Sequence, residues 1–274
     1  MPRLLNVRPR GGGRLLLGLV PILLLVLLYL GASLARHAEN PADKILPTVG
    51  AMAEQVRTMG FQADAVTGEV PLLVDTVASL KRLAAGIAIA AFTTLVLGLT
   101  IGLLPVVRAS LGPLVAAIAV IPPIAVLPIL FIILGLGETS KIALIFVGLT
   151  PFMIRDLASA VAAIPEEQLI KAQTLGANTW VVMLRVALPQ ALPRLIESLR
   201  FSLGPAWVFL ISAEAIAADV GLGYRIFLVR RYLAMDVILP YVAWISLLAV
   251  VMDWALVSLS RTAFPWAHPK RIRQ

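Results

Sequence analysis

The chain contains no cysteine among its 274 residues, which excludes disulfides and thiolate metal sites. It has two histidines, His37 and His268, far apart in flanking segments. Each reads as a solvated surface side chain rather than a metal ligand. Charge is scarce. Asp, Glu, Lys and Arg make up 14% of the residues, where a soluble domain carries about 25%. No G-x-x-x-x-G-K-[ST] phosphate loop is present. The nearest stretch, Gly135-Leu136-Gly137-Glu138-Thr139-Ser140-Lys141, fails that spacing and does not sit between a strand and a helix. The chain therefore has no ATPase site of its own, and no bound cofactor or metal is expected. An enzyme inside the membrane needs a clustered acid, base or metal set. Glu197, Glu214 and Asp253 are scattered, and no histidine lies in an apolar run. The net charge of +8 does not point to nucleic acid, because no basic patch is interleaved with aromatics.

What is present is hydrocarbon. The chain is 60% hydrophobic with mean hydropathy +0.95, which reads as an all-α integral membrane protein. Residues 1–14 form a basic arm carrying Arg3, Arg8, Arg10 and Arg14. Residues 15–34 are long enough to span and are read as an uncleaved first transmembrane helix. Residues 35–80 form an outward loop, with a mildly amphipathic helix over 46–59. Residues 81–260 form a five-helix core with spans near 83–104, 111–134, 142–163, 196–218 and 237–259. A basic tail follows over 261–274. Gly98 and Gly102 make a small-xxx-small pair suited to close helix packing. Pro122, Pro123 and Pro128 kink the third span and free backbone carbonyls. Either an ordinary bend or a pathway-lining role for Pro122 and Pro123 fits this. Six spans put both termini on one side. That side and the 165–189 interval carry the richer share of Lys and Arg, which places them in the cytoplasm.

The interval 165–189, PEEQLIKAQTLGANTWVVMLRVALP, lies between two spans and reads as two short helices. Pro165 suits a first helical position, and Glu166 and Glu167 favour the positive helix end. Leu169, Ala172 and Leu175 recur near helical spacing as one apolar face. Gly176 is the expected stop. Asn178 or Thr179 caps the second helix, and Pro189 makes its continuation unfavourable without a kink. The spacing predicts a compact docking element outside the bilayer. Glu214, a carboxylate in a span, is a functional candidate because its burial is expensive. Contact with substrate and a gating pair with Arg225, Arg230 or Arg231 are both open.

Lys171-Ala172-Gln173-Thr174-Leu175-Gly176, nine residues, then Val186-Ala187-Leu188-Pro189 resembles the EAA loop of permease subunits of bacterial ABC importers. Gly176 and Leu188-Pro189 match that pattern and Val186 stands for its Ile. Ile170 and Lys171 replace its usual Glu-Ala. Within that superfamily the chain is similar to the nitrate/sulfonate/taurine type. Ile45-Leu46-Pro47, Ser79-Leu80-Lys81-Arg82, Ile121-Pro122-Pro123, Ala213-Glu214 and Gly221-Leu222-Gly223-Tyr224 carry that likeness.

The resemblance implies a type I importer permease fold in the bacterial inner membrane. It implies a second permease copy, as a homodimer, two ATPase subunits that hold ATP and Mg, and an outside substrate-binding protein. Glu166, Glu167, Leu169, Lys171, Ala172, Leu175 and Gly176 then dock the ATPase, while Glu214, Tyr224, Pro122 and Pro123 belong to the pathway or gate. The implied substrate is an oxyanion such as nitrate, sulfonate or bicarbonate, or a small nitrogen compound. Residues 225–244 resemble permeases associated with urea or guanidine breakdown. The competing reading, a stand-alone secondary transporter or channel, needs an inverted repeat or an ion-coupling constellation, and neither is evident.

Overall fold

The computed structural model describes residues 11–41, 43–64 and 68–268, and these are helical with turns between. Arg3, Arg8 and Arg10 of the basic arm and the tail beyond His268 lie outside the described residues. α1 (Gly11–Glu39) is followed by the short α2 (Val49–Phe61), which Thr48 caps through the Ala51 N–H. α3 (Pro71–Leu103) opens with a proline at its first turn, where the missing N–H costs nothing. Next come α4 (Pro105–Ile118), α5 (Pro123–Leu134) and α6 (Glu138–Ala162). The short α7 (Glu166–Thr174) and α8 (Thr179–Val182) lead through a π turn (Met183–Ala187) into α9 (Leu188–Ala217). α10 (Leu222–Arg230) and α11 (Met235–Ala263) complete the bundle.

Among the described residues, five helical stretches are long and apolar enough to cross a membrane, and the bent α4–α5 pair makes a sixth if it is counted as one span. The third span is not one helix. It breaks at Pro122-Pro123 with a bend of 94°. Proline disfavours helical geometry in the residue before it and removes an N–H, so two in a row stop α4 from continuing. The second span also differs from expectation. It starts at Pro71 rather than near 83, because Asp75, Ser79 and Arg82 are buried polar residues on α3 rather than loop residues. The interval 219–235 likewise holds α10 and is not a plain loop. At 33 residues, α3 is about 50 Å long, more than a hydrocarbon core of about 30 Å. Its first turns therefore reach the interface.

α3 and α6 form the centre, and they run parallel. A Cβ on Gly86 would lie 2.7 Å from Ile145 Cβ, one on Gly98 would lie 2.9 Å from Leu157, and one on Gly102 would lie 2.6 Å from Val161. Gly86, Ala90, Thr94, Gly98 and Gly102 recur every four residues, so they form one stripe along α3. Ile145, Leu149, Met153, Leu157 and Val161 form the facing stripe of α6. Small residues on one helix thus receive large ones on the other, so the backbones approach closely. Leu195, Ala206, Trp207 and Leu210 of α9 join the same core. Arg200 of α9 holds Asp253 of α11 through two hydrogen bonds, 2.8 and 3.1 Å.

α1 stands apart from this core. Its apolar side chains from Leu16 to Leu28 are largely exposed, as suits a helix in lipid. It is tied down near its end. Tyr29 and Ser33 donate to the carbonyls of Pro47 and Leu46, and Arg36 pairs with Asp43 at 2.6 Å.

Candidate functional site

Two features stand at opposite ends of the bundle. α3, α6 and α11 begin at one end and α9 finishes there, while α7 lies at the other, between the end of α6 and the start of α9.

α7 is closed by its own backbone. The Ala177 N–H donates to the Ala172 carbonyl at 3.0 Å and the Gly176 N–H to Gln173 at 2.9 Å. This crossed pair needs a left-handed residue at Gly176, whose φ is +85°. Asn178, not Thr179, caps the following helix by accepting from the Val181 N–H at 2.9 Å. Pro189 does not end that helix. The π turn over Met183–Ala187 shifts the bonding frame before it, and α9 runs on. Leu169 and Ala172 are half-buried, facing the bundle. Glu166, Glu167, Lys171 and Gly176 are exposed. Leu175 does not share the apolar face expected of it. It lies past the last helical turn, where helical phase no longer applies, and is 88% exposed. Ile170, Trp180 and Leu184 are exposed as well. Gln190 donates to Gln168 at 3.1 Å and ties α7 to α9. The result is a short braced helix with an apolar and charged outer surface.

At the other end, Glu214 is fully buried. Its carboxylate accepts from Ser79 Oγ at 2.8 Å, Arg82 Nη1 at 2.7 Å and the Gly223 N–H at 2.8 Å. Its cation is Arg82, not Arg225, Arg230 or Arg231. Arg82 also grips Glu138 through Nε and Nη2, at 2.5 and 2.8 Å, and donates to the Val220 carbonyl. Lys141 reaches Glu138 at 3.0 Å. Asp75, also fully buried, accepts from the Gly221 N–H, Arg225 Nε and Tyr241 OH at 2.9, 2.8 and 3.1 Å. The Leu222 N–H donates to Ser79 Oγ at 2.9 Å. Three consecutive N–H groups at the start of α10 thus end on Asp75, Ser79 and Glu214. They need close approach. Gly221 has φ +137°, and a Cβ there would lie 2.6 Å from the Glu214 carboxyl carbon.

The carboxylates Asp75, Glu138 and Glu214 are balanced by Arg82, Lys141 and Arg225. Buried charges are tolerated when paired and hydrogen-bonded in this way. Burial works against the Arg225 charge, but the hydrogen bond and charge of Asp75 outweigh it and raise its pKa.

Tyr224 lies on α10 beside Arg225, whose guanidinium carbon is 6.0 Å from its ring centre. Pro122 and Pro123 lie at the α4–α5 break. α5 approaches Glu214 through Leu127, which packs with Ala213. Among the described residues, no hydrogen bond joins Glu214 to Tyr224, Pro122 or Pro123. Ser79 and Arg82 were not singled out from sequence as partners of Glu214, nor Asp75, Glu138 and Tyr241 as members of the surrounding network. The available signal was the 75, 79, 82 spacing, which puts three polar side chains on one helical face.

Residues 70–269 match the family described as "Binding-protein-dependent transport system inner membrane component". The taurine transport system permease protein TauC of Escherichia coli (strain K12) is 36% identical over 189 residues, covering 69% of this chain and 69% of that protein. The bicarbonate transport system permease protein CmpB of Synechococcus elongatus is 30% identical, covering 68% of each. Among solved structures, the MetNI methionine ABC transporter in inward facing conformations superposes with a TM-score of 0.59 at 22% identity. That match covers 70% of this chain and 96% of the solved one, and it shows the fold.

Proposed function

The chain belongs to the binding-protein-dependent transport system inner membrane component family, and we propose that it forms the substrate pathway of an ATP-driven importer of small oxyanions. Permeases of this kind are non-catalytic, and ATP hydrolysis falls to a partner. The stand-alone transporter reading is thereby set aside.

One observation carries the coupling part of this reading. α7 is braced by its glycine cap and by Gln190, yet Glu166, Glu167, Lys171 and Leu175 are exposed and, among the described residues, have no side-chain partner. A rigid, outward-facing helix is suited to transmit a push from another protein. We assign Glu166, Glu167, Leu169, Lys171, Ala172, Leu175 and Gly176 to docking a cytoplasmic ATPase. The α7 end is then cytoplasmic and the Glu214 end faces outward, in the inner membrane. Two copies of the chain, two ATPase subunits and an outside binding protein make the working assembly.

The anionic class rests on the relatives named for taurine and bicarbonate. It also fits the outer end of this chain, where Arg230 and Arg231 lie over the rings of Phe227 and Tyr232 and, among the described residues, pair with no carboxylate. Such cations raise the local concentration of anions. Glu214, held by Ser79, Arg82 and Gly223, serves in this reading as part of an outer lock beside Tyr224. The α4–α5 break at Pro122 and Pro123 gives a flexible wall.

Substitution at Gly176 tests the coupling. Space is open there, so only the backbone conformation opposes a side chain. Gly176→Asn, which tolerates left-handed geometry, is expected to retain ATP-driven uptake. Gly176→Val is expected to abolish uptake while ATP hydrolysis persists. Normal coupled uptake by the valine variant overturns the docking role.

A further inference from the structure

Two cavities meet where α1, α2 and α11 come together, at the end of the bundle opposite α7. The larger is about 600 Å³ and is lined by Met52 and Val56 of α2, Leu72 of α3, and Val237, Trp244 and Leu247 of α11. Its aromatic walls turn their polar atoms away. Tyr29 OH donates to the Pro47 carbonyl at 2.7 Å, Tyr241 OH to Asp75 at 3.1 Å, and the Trp244 indole N–H to Thr76 at 2.9 Å. Apart from Gln55, what faces the cleft is therefore hydrocarbon and ring face. The smaller cavity is about 510 Å³, and His37, Lys44, Thr48, Tyr232 and Asp236 line it. The two adjoin along a seam. Thr48 and Ala51 line the polar one and Val49 and Met52 the apolar one, while Asp236 precedes Val237 across the gap.

The charges in the polar cavity are of both signs. Asp43 is taken by Arg36. Lys44 and Asp236 have no ion-pair partner among the described residues, so one cation and one anion face the same space. A simple anion gains from Lys44 but is repelled by Asp236. A zwitterion satisfies both.

The dimensions match one leaflet. From Asp236 to Leu247 along α11 the rise is about 16 Å, and half of a hydrocarbon core is about 15 Å. The apolar cleft thus runs from the interface to near the mid-plane, with the polar cavity at headgroup height. Tyr29, whose OH bonds the carbonyl of Pro47 in the wall of the polar cavity, lies at that boundary, where such rings are favoured. The neighbouring surface of α11, at Leu247, Val250 and Val251, is exposed, as are the leucines of α1. The medium around the cleft is therefore lipid.

We infer that this paired cavity binds one phospholipid with an ethanolamine headgroup, drawn from the leaflet opposite α7. Asp236 accepts hydrogen bonds from the primary ammonium, Lys44 pairs with the phosphate, and one acyl chain lies in the cleft against Val56, Trp244 and Leu247. The lipid joins α2 to α11 and adds to the few contacts that hold α1. Assembly with an ATPase is not required for this binding, so the lipid site and the transport reading stand or fall separately.

The test is native mass spectrometry of the full complex released from nanodiscs of mixed phosphatidylethanolamine and phosphatidylglycerol. One retained phosphatidylethanolamine per chain is expected. Asp236→Asn is expected to lower its retention about tenfold relative to phosphatidylglycerol, the factor given by about 1.4 kcal/mol. Val56→Trp, which fills the cleft, is expected to remove retention of both lipids. Should that variant fail to fold, Asp236→Asn decides alone, since it alters only a boundary charge. Retention without headgroup preference, or preference unchanged by Asp236→Asn, overturns the inference. So does disulfide capture of a Val56→Cys chain by a cysteine placed on α1 of a second copy, which would show the cleft filled by protein. The absence of native cysteine makes that capture clean.

Discussion

Replacing Arg82 by methionine removes the cation that two carboxylates share while keeping most of the side-chain volume. Arg82 is 3% exposed, and its partner Glu214 is wholly buried. Breaking a buried pair by removing one member costs about 3–5 kcal/mol, because the surviving charge is left without compensation. For a chain of this size each kcal/mol moves Tm by about 2–4 °C. Arg82→Met should therefore lower Tm by about 6–20 °C, read by heating the detergent-solubilised complex and following its loss by size exclusion. Most of the penalty comes from Glu214. Glu138 is 59% exposed at its side chain and keeps Lys141 at 3.0 Å. The double variant Arg82→Met with Glu214→Gln should then recover about 2 kcal/mol relative to the sum of the single losses. The glutamine still accepts from Ser79 and the Gly223 N–H. Arg82→Lys should fall between, because lysine keeps the charge but lacks the fork that grips Glu138 twice. A Tm change under about 2 °C for Arg82→Met, or strict additivity in the double variant, would refute the premise that the network stands on a buried, mutually dependent ion pair.

Three further outcomes are expected. Gly102→Ala places a methyl against Val161 and the Ala158 carbonyl and should destabilise by about 1–3 kcal/mol, with partial rescue by Val161→Ala in a thermal-shift assay. Leu175→Asp alters a side chain that the chain itself does not use, so Tm should stay within about 0.5 kcal/mol of wild type while ATP-driven uptake into proteoliposomes is lost. Asp43 is held below its ordinary pKa, first by the hydrogen bond from Arg36 and against the opposing effect of burial. A depressed carboxylate contributes stability above its unfolded pKa and loses it as pH falls through the lower, folded value. Hydrogen-exchange protection over 43–48 should therefore be constant from pH 8 to 5 and drop only below about pH 4. Asp43→Asn should lack that protection throughout.

The apolar runs were legible because spanning the bilayer leaves little choice of element. The α7 cap was legible for a similar reason, since the paired glutamates and Gly176 are local signals with local causes, although Pro165, expected at the first helical position, sits one residue before it. The polar network was not. Glu214 and Arg82 are separated by 132 positions, and nothing in the neighbourhood of either names the other. Local bias pointed instead to Arg225, Arg230 and Arg231, which follow Glu214 closely in sequence. Arg225 proved to serve Asp75. The start of α3 was hidden by the same chemistry. Asp75, Ser79 and Arg82 lower the mean hydropathy of 71–82, so a membrane helix reads as a loop until the partners that neutralise those residues are known. Leu175 failed for a geometric reason. A periodicity argument holds only while the helix continues, and this residue is already in its C-terminal turn.

α9 bears on how the two ends communicate. With α8 and the π turn it forms one run from Thr179 to Ala217. Its start lies three residues past Gly176, and Glu214 sits in its last turn. Pro189 lacks the N–H that an α-helix would direct to Arg185. The wider bonding of the Met183–Ala187 turn absorbs that loss. Ala187 of this turn is buried in the α3–α6 core, as are Leu195, Ala206, Trp207 and Leu210 further along α9. In the coupling proposed above, a push on α7 passes through this turn and travels onward along packed helix. It arrives at a cluster whose carboxylates already hold their hydrogen bonds. Small displacements there cannot be taken up one bond at a time without stranding a buried charge, and stranded charge is expensive. The cluster at the Glu214 end must then either move as a unit with α3, α9 and α10 or open as a unit. That all-or-none response is what the proposed outer lock requires.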